Sequence, residues 1–105
     1  MDYELRTIQG CPNSGPALDL FRTALAAEGK DASHLRLREV TCEADAEALH
    51  FHGSPSFIAD GRDLFPSESA PALSCRVYFS GHGVAGLPSA ESLRTAVRRT
   101  PEIRP

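Results

Sequence analysis

Cys11 sits where a thiol can be put to chemical use. It precedes Pro12, Asn13, Ser14, Gly15 and Pro16, a cluster of turn formers that leads into Ala17, Leu18, Phe21, Ala24 and Leu25. The spacing of three and four in that second group marks the buried stripe of a helix. A sulfur just ahead of a helix meets free backbone N–H groups and the positive end of the helix dipole, which favour an anion over a neutral thiol. The thiolate is both the nucleophile of disulfide exchange and a ligand for soft metals. Ser14, three residues on, either donates a hydrogen bond to the sulfur or caps the helix. A small cysteine packed at a helix start is the plain structural alternative, and position alone leaves both readings open.

Two further cysteines and a histidine pair frame the question. Cys75 opens the extended run Cys75 to Phe79 and is the candidate second thiol for Cys11, provided the two Cα atoms come within ~7 Å. Arg76 beside it points to the opposite face of a strand and does little for its thiol. Cys42 has Glu39, Glu43, Asp45 and Glu47 nearby, carboxylates that disfavour a thiolate, so its expected role is structural. His50 and His52 flank Phe51; both rings can point to one side, and with Cys11 they would make a three-ligand zinc or copper site. Polar residues ending a helix are the simpler account of the pair. His82 reads as a loop residue, because no lysine or helix follows Ser80-Gly81-His82-Gly83 at the spacing a phosphate cradle needs. No cofactor motif is present.

The elements that must position these residues are legible as an α/β pattern. Tyr3, Leu5 and Thr7 alternate with Glu4, Arg6 and Ile8, which predicts a first strand over 2–9 with one sheet face thinly covered. The first helix should end near Gly29, with Lys30 beside its negative end. A second strand follows over 34–41, with Leu35 and Leu37 set against Arg36 and Arg38, then a short acidic helix over 42–49. A third strand is entered through Pro55 and ends at the turn signal Asp60-Gly61. The segment 62–74 has no clear periodicity. Either it is a long loop and Cys75 to Phe79 is the fourth strand, or Arg62 to Phe65 is the fourth strand and Cys75 to Phe79 a fifth. Ser89 is set to cap a last helix with Leu93, Ala96 and Val97 inward, ending before Pro101. Arg94, Arg98, Arg99 and Arg104 make a solvated basic face, and 100–105 a flexible tail. The order predicts a βαβ unit followed by ββα: a four-stranded mixed sheet with helices packed on it, in one domain over 1–105.

This arrangement resembles the thioredoxin-like superfamily. Strand one is followed by Cys11-Pro12-Asn13-Ser14 at the mouth of a helix, and Pro55, in Gly53-Ser54-Pro55-Ser56-Phe57, matches the family's cis-proline, which lies against the reactive sulfur. Ser14 stands where the family's usual motif has a second cysteine. The resemblance therefore implies a monothiol thiol–disulfide oxidoreductase with Cys11, Ser14, Pro55 and Cys75 as its site. Attack by Cys11 leaves a mixed disulfide that needs another thiol for release, either Cys75 or glutathione. The implied partner is a thiol or disulfide substrate, glutathione or a protein, and no cofactor or metal is implied. Gly53-Ser54-Pro55-Ser56, Asp60-Gly61-Arg62-Asp63 and Ser74-Cys75-Arg76-Val77-Tyr78 also resemble short thioredoxin-like proteins of unknown role sometimes labelled organomercurial-lyase-like. The lyase activity does not carry over, because neither the length nor the flanking motifs match. Two other readings stand beside exchange: binding of zinc, copper or mercury through Cys11 with Cys75 or His50 and His52, and a catalytically silent interaction module.

Composition narrows the setting. The chain has 105 residues, 41% hydrophobic and 24% charged, which supports one hydrophobic core without a disordered bulk. Three cysteines cannot all pair within one chain, so a disulfide scaffold is not what holds it together. A net charge of −3 and few aromatic residues argue against a nucleic-acid platform. No apolar run reaches the ~20 residues of a membrane span, and Met1-Asp2-Tyr3-Glu4 lacks the basic and apolar regions of a signal peptide. A cytoplasmic protein is the expectation.

Overall fold

The computed structural model describes residues 2–67, 69–80 and 83–99. Residues 82 and 100–105, the expected loop histidine and tail, lie outside them, as does Arg104 of the basic face. The elements are β1 (Tyr3–Thr7), α1 (Ser14–Ala27), β2 (Arg36–Glu39), α2 (Glu43–Ala48), β3 (Ser56–Ala59), β4 (Arg62–Asp63), β5 (Tyr78–Ser80), β6 (Gly83–Ala85) and α3 (Ala90–Arg99). β1 to β4 form a four-stranded sheet in the order β2-β1-β3-β4, with β1 parallel to β2 and antiparallel to β3. β3 and β4 are antiparallel across Asp60-Gly61, where both residues have positive φ, 49° and 79°. That is the backbone of a two-residue hairpin turn, which glycine and aspartate adopt at low cost.

The two sheet faces are built differently. Tyr3 and Leu5 of β1 and Phe57 and Ala59 of β3 face one side, where Ala17, Phe21, Ala24 and Leu25 of α1 and Leu93 and Val97 of α3 complete the main core. Phe21 and Phe57 meet edge to face at 5.1 Å between ring centroids, and Phe57, Phe65 and Tyr78 continue the aromatic packing. Each fully buried aromatic contributes about 2–3 kcal/mol through burial. The other face carries Glu4 and Arg6, each only 8% exposed. The expected thin cover does not hold for them: Arg6 Nε donates to Glu4 Oε1 at 2.5 Å and Arg6 Nη1 to the carbonyl of Leu49 at the end of α2. Residues two apart in a strand share a face, so opposite charges at that spacing satisfy each other when both are buried. A smaller core of Val40, Ala46 and Phe51 seals α2 to that side.

The structure resolves the second-half alternative in favour of a two-residue fourth strand at Arg62–Asp63. Cys75 to Phe79 does not join the main sheet as a ladder strand. Cys75 makes a single parallel bridge to Ser54, and Tyr78–Ser80 pairs with β6 in a separate hairpin. β2 is shorter than the sequence suggested and exposed along its length, with Leu37 58% exposed, as the edge strand of the sheet. α3 begins as expected: Ser89 Oγ accepts the N–H of Ser92 at 3.0 Å.

Glu28 ties α1 to α3. Its carboxylate accepts Arg98 Nε at 2.9 Å and Arg94 Nε at 3.0 Å. The hydrogen bonds from Arg98 and then Arg94 lower its pKa from 4.5 to about 2. A carboxylate lowered in the folded state adds stability that is complete above its unfolded pKa and is lost as pH falls through the folded one. Glu28→Gln is therefore expected to lower the melting temperature at neutral pH. In thermal unfolding series on both proteins the gap should narrow below pH 4.5 and close near pH 2.

Candidate functional site

Cys11 lies on the turn between β1 and α1, half-buried. Its N–H donates to the carbonyl of Ile8 at 3.3 Å and its own carbonyl accepts the N–H of Ser14 at 3.2 Å. Asn13 is the N-cap of α1 and Ser14 the first helical residue, and among the described residues no hydrogen bond joins the Ser14 hydroxyl to Cys11. The Asn13 side chain rests on Gly86, where an added Cβ would come within 2.3 Å of Asn13 Nδ2. The segment that follows β6 thus packs on the Cys11 turn.

The bond between Ser54 and Pro55 is cis, and both residues are buried. Ser54, with no exposed surface, bonds in three directions. Its Oγ accepts the N–H of Ile8 at 3.1 Å, its N–H donates to Ser74 at 2.8 Å, and its carbonyl accepts the N–H of Arg76 at 2.9 Å. Ile8 is the same residue whose carbonyl holds Cys11. Ser54 therefore stands between the turn that carries Cys11 and the segment that carries Cys75. Gly53, at φ +112°, is required there: a Cβ would lie 2.9 Å from that of Arg76.

The 74–78 segment is fastened by residues the sequence did not single out for this role. Tyr78 donates its hydroxyl to the carbonyl of Pro55, and burial pushes that phenol well above its ordinary pKa. Arg76 donates to Asp63 Oδ2 at 2.6 Å, to Ser56 Oγ at 3.3 Å and to the carbonyl of Phe65, with its guanidinium over the Tyr78 ring. The alternation Arg76 and Tyr78 inward, Cys75, Val77 and Phe79 outward is the readable signal for this. Its partners are 11 to 23 residues away and are not readable.

All three cysteines are free. Cys75 is exposed and lines a cavity of about 480 Å³ with His52, Arg76 and Tyr78; Cys11 does not line it. Cys42 is exposed at the N-cap of α2, where its carbonyl accepts the N–H of Ala46, so it is not a core residue. His50 and His52 share a second cavity, away from Cys11. Among the described residues no three His, Cys, Asp or Glu side chains come together as metal ligands. No helix in the described residues is long and apolar enough to cross a membrane. Comparison with known proteins finds no matching family model, curated protein or solved structure.

The Arg76 and Asp63 side chains are only 9% and 14% exposed, so removing one partner leaves a poorly solvated charge. Arg76→Met should cost about 3–5 kcal/mol in urea unfolding. Adding Asp63→Asn should recover part of that loss.

Proposed function

We propose that this chain is a thioredoxin-like thiol–disulfide exchange domain in which Cys11 attacks and Cys75 resolves. The observation that carries the proposal is the position of Ser54, bonded on one side to the Cys11 turn through Ile8 and on the other to the residues flanking Cys75. The strand–turn–helix setting of Cys11, with Pro55 cis beside Ser54, supports the same reading.

The chemistry balances without a cofactor. The Cys11 thiolate attacks one sulfur of a substrate disulfide; the Cys11–S bond forms, the substrate S–S bond breaks, and the leaving thiolate takes a proton from water. The Cys75 thiolate then attacks the Cys11 sulfur, forming a Cys11–Cys75 disulfide and releasing the second substrate thiol. Two equivalents of an external thiol, a small one such as glutathione or one on a protein, return both cysteines to the reduced state. A reducing, cytoplasmic setting suits three free thiols.

Alkylation followed by mass spectrometry across a pH series tests the first step. Cys11 is expected to react at neutral pH at least tenfold faster than a free cysteine of pKa ~8.5. Limited oxidation tests the second: the Cys11–Cys75 cross-link should form in the wild type, and Cys75→Ser should accumulate a mixed disulfide on Cys11 instead. A Cys11 that reacts like a free cysteine sinks the proposal.

A further inference from the structure

The face of the sheet opposite α1 and α3 holds a cavity of about 320 Å³ that thiol exchange does not use. Its size is near the lower end for small-molecule sites. Arg6 and Ile58, both buried, lie in its lining with His50, His52, Arg62 and Asp63. The fold places the two histidines there together because Phe51 between them is anchored in the core, 1% exposed.

The polar groups of this cavity are donors in excess. Arg6 uses Nε on Glu4 and one N–H of Nη1 on Leu49, which leaves three of its five N–H groups without a partner among the described residues. The two carboxylates of this face are already matched. Glu4 is paired with Arg6 and lies 3.7 Å from Arg36, and Asp63 is bonded to Arg76 and to the N–H of Phe65. His52 Nδ1 is buried without a hydrogen-bond partner. An imidazole N–H can donate to an oxyanion from either ring nitrogen, so His52 is a candidate donor as well.

His50 supplies an independent sign of use. Its φ is +52°, just past the end of α2, at a position where glycine is the favoured residue and a side chain carries a conformational cost. Among the described residues nothing in the packing requires a ring there, since His50 is exposed and its one hydrogen bond to them is from its backbone N–H to the carbonyl of Glu47. Strained non-glycine residues concentrate at ligand sites.

We propose that this cavity binds the oxyanion group, phosphate or carboxylate, of a small molecule, held by the Arg6 guanidinium and the imidazoles of His50 and His52. The site is separate from Cys11 and stands whether or not the chain exchanges disulfides. No metal is involved, and the ligand is bound rather than transformed.

Inorganic phosphate and succinate are the two probes, each titrated into the reduced protein while the histidine ring resonances are followed by NMR. Saturable shifts of both rings are expected with one probe or both, and the tighter probe identifies the group recognised. His50→Gly is the decisive variant, because glycine suits the left-handed backbone and should leave the melting temperature unchanged or raised. It should weaken binding at least tenfold, and His52→Gln should do the same. No saturable shift with either probe overturns the proposal. So does binding that both variants leave intact.

Discussion

Ser54 is a polar residue with no exposed surface, and a buried serine is tolerated only when its donors and acceptors find partners. Its hydroxyl oxygen takes Ile8, its amide takes Ser74, and its carbonyl takes Arg76. Those three bonds join the end of β1, the entry to β3 and the return segment before β5, which are far apart in sequence. The residues of the proposed exchange site are placed relative to this junction. The Cys11 turn hangs from Ile8, Cys75 is paired across from Ser54, and Pro55 follows it with its carbonyl held by Tyr78.

The two sheet faces differ in what covers them. Apolar α1 and α3 cover one face and close it with aromatic contacts, which need no directional partners. On the opposite face the apolar cover among the described residues is the smaller cluster of Val40, Ala46 and Phe51 with Leu49 and Leu73. Charged side chains buried beneath it must satisfy one another, hence the Glu4–Arg6 pair and the Arg76–Asp63 pair. These pairs do not add much net stability over an apolar core. They do fix the direction of the 74–78 segment, since Arg76 bonds simultaneously to β3, β4 and the loop after β4.

How much of this was legible in the sequence depends on whether the determinant was local. The α1 stripe, the Asp60-Gly61 turn and the Ser89 cap are set by residues within a few positions, and all three stand where their local patterns place them. The α/β order and the mixed four-stranded sheet follow from them. The fourth strand was ambiguous because two residues have no periodicity to read. The edge position of β2 was hidden because Leu35 and Leu37 alternate as a covered strand would. At the candidate site, Cys11, Pro55 and Cys75 were visible as residue types near turns, but the bonds through Ser54 that relate them span up to 46 positions. No local pattern encodes a contact of that range.

Arg6, beside Glu4, and Arg76, beside Cys75, share a common logic in the structure. Each lies on the face opposite α1 and α3 and uses its planar donor set to bind a carboxylate together with a backbone carbonyl, Leu49 for Arg6 and Phe65 for Arg76. A lysine would offer a point charge and could not hold that geometry. The difference between them is what remains. Arg76 is occupied by four partners including the Tyr78 ring, and serves to hold the segment that carries Cys75. Arg6 is held at one edge and open at the other, with His50 and His52 lining the cavity it shares with them. A guanidinium held firmly on one side and unsatisfied on the other is a preorganised binding group, because ordering the side chain costs nothing further when a ligand arrives.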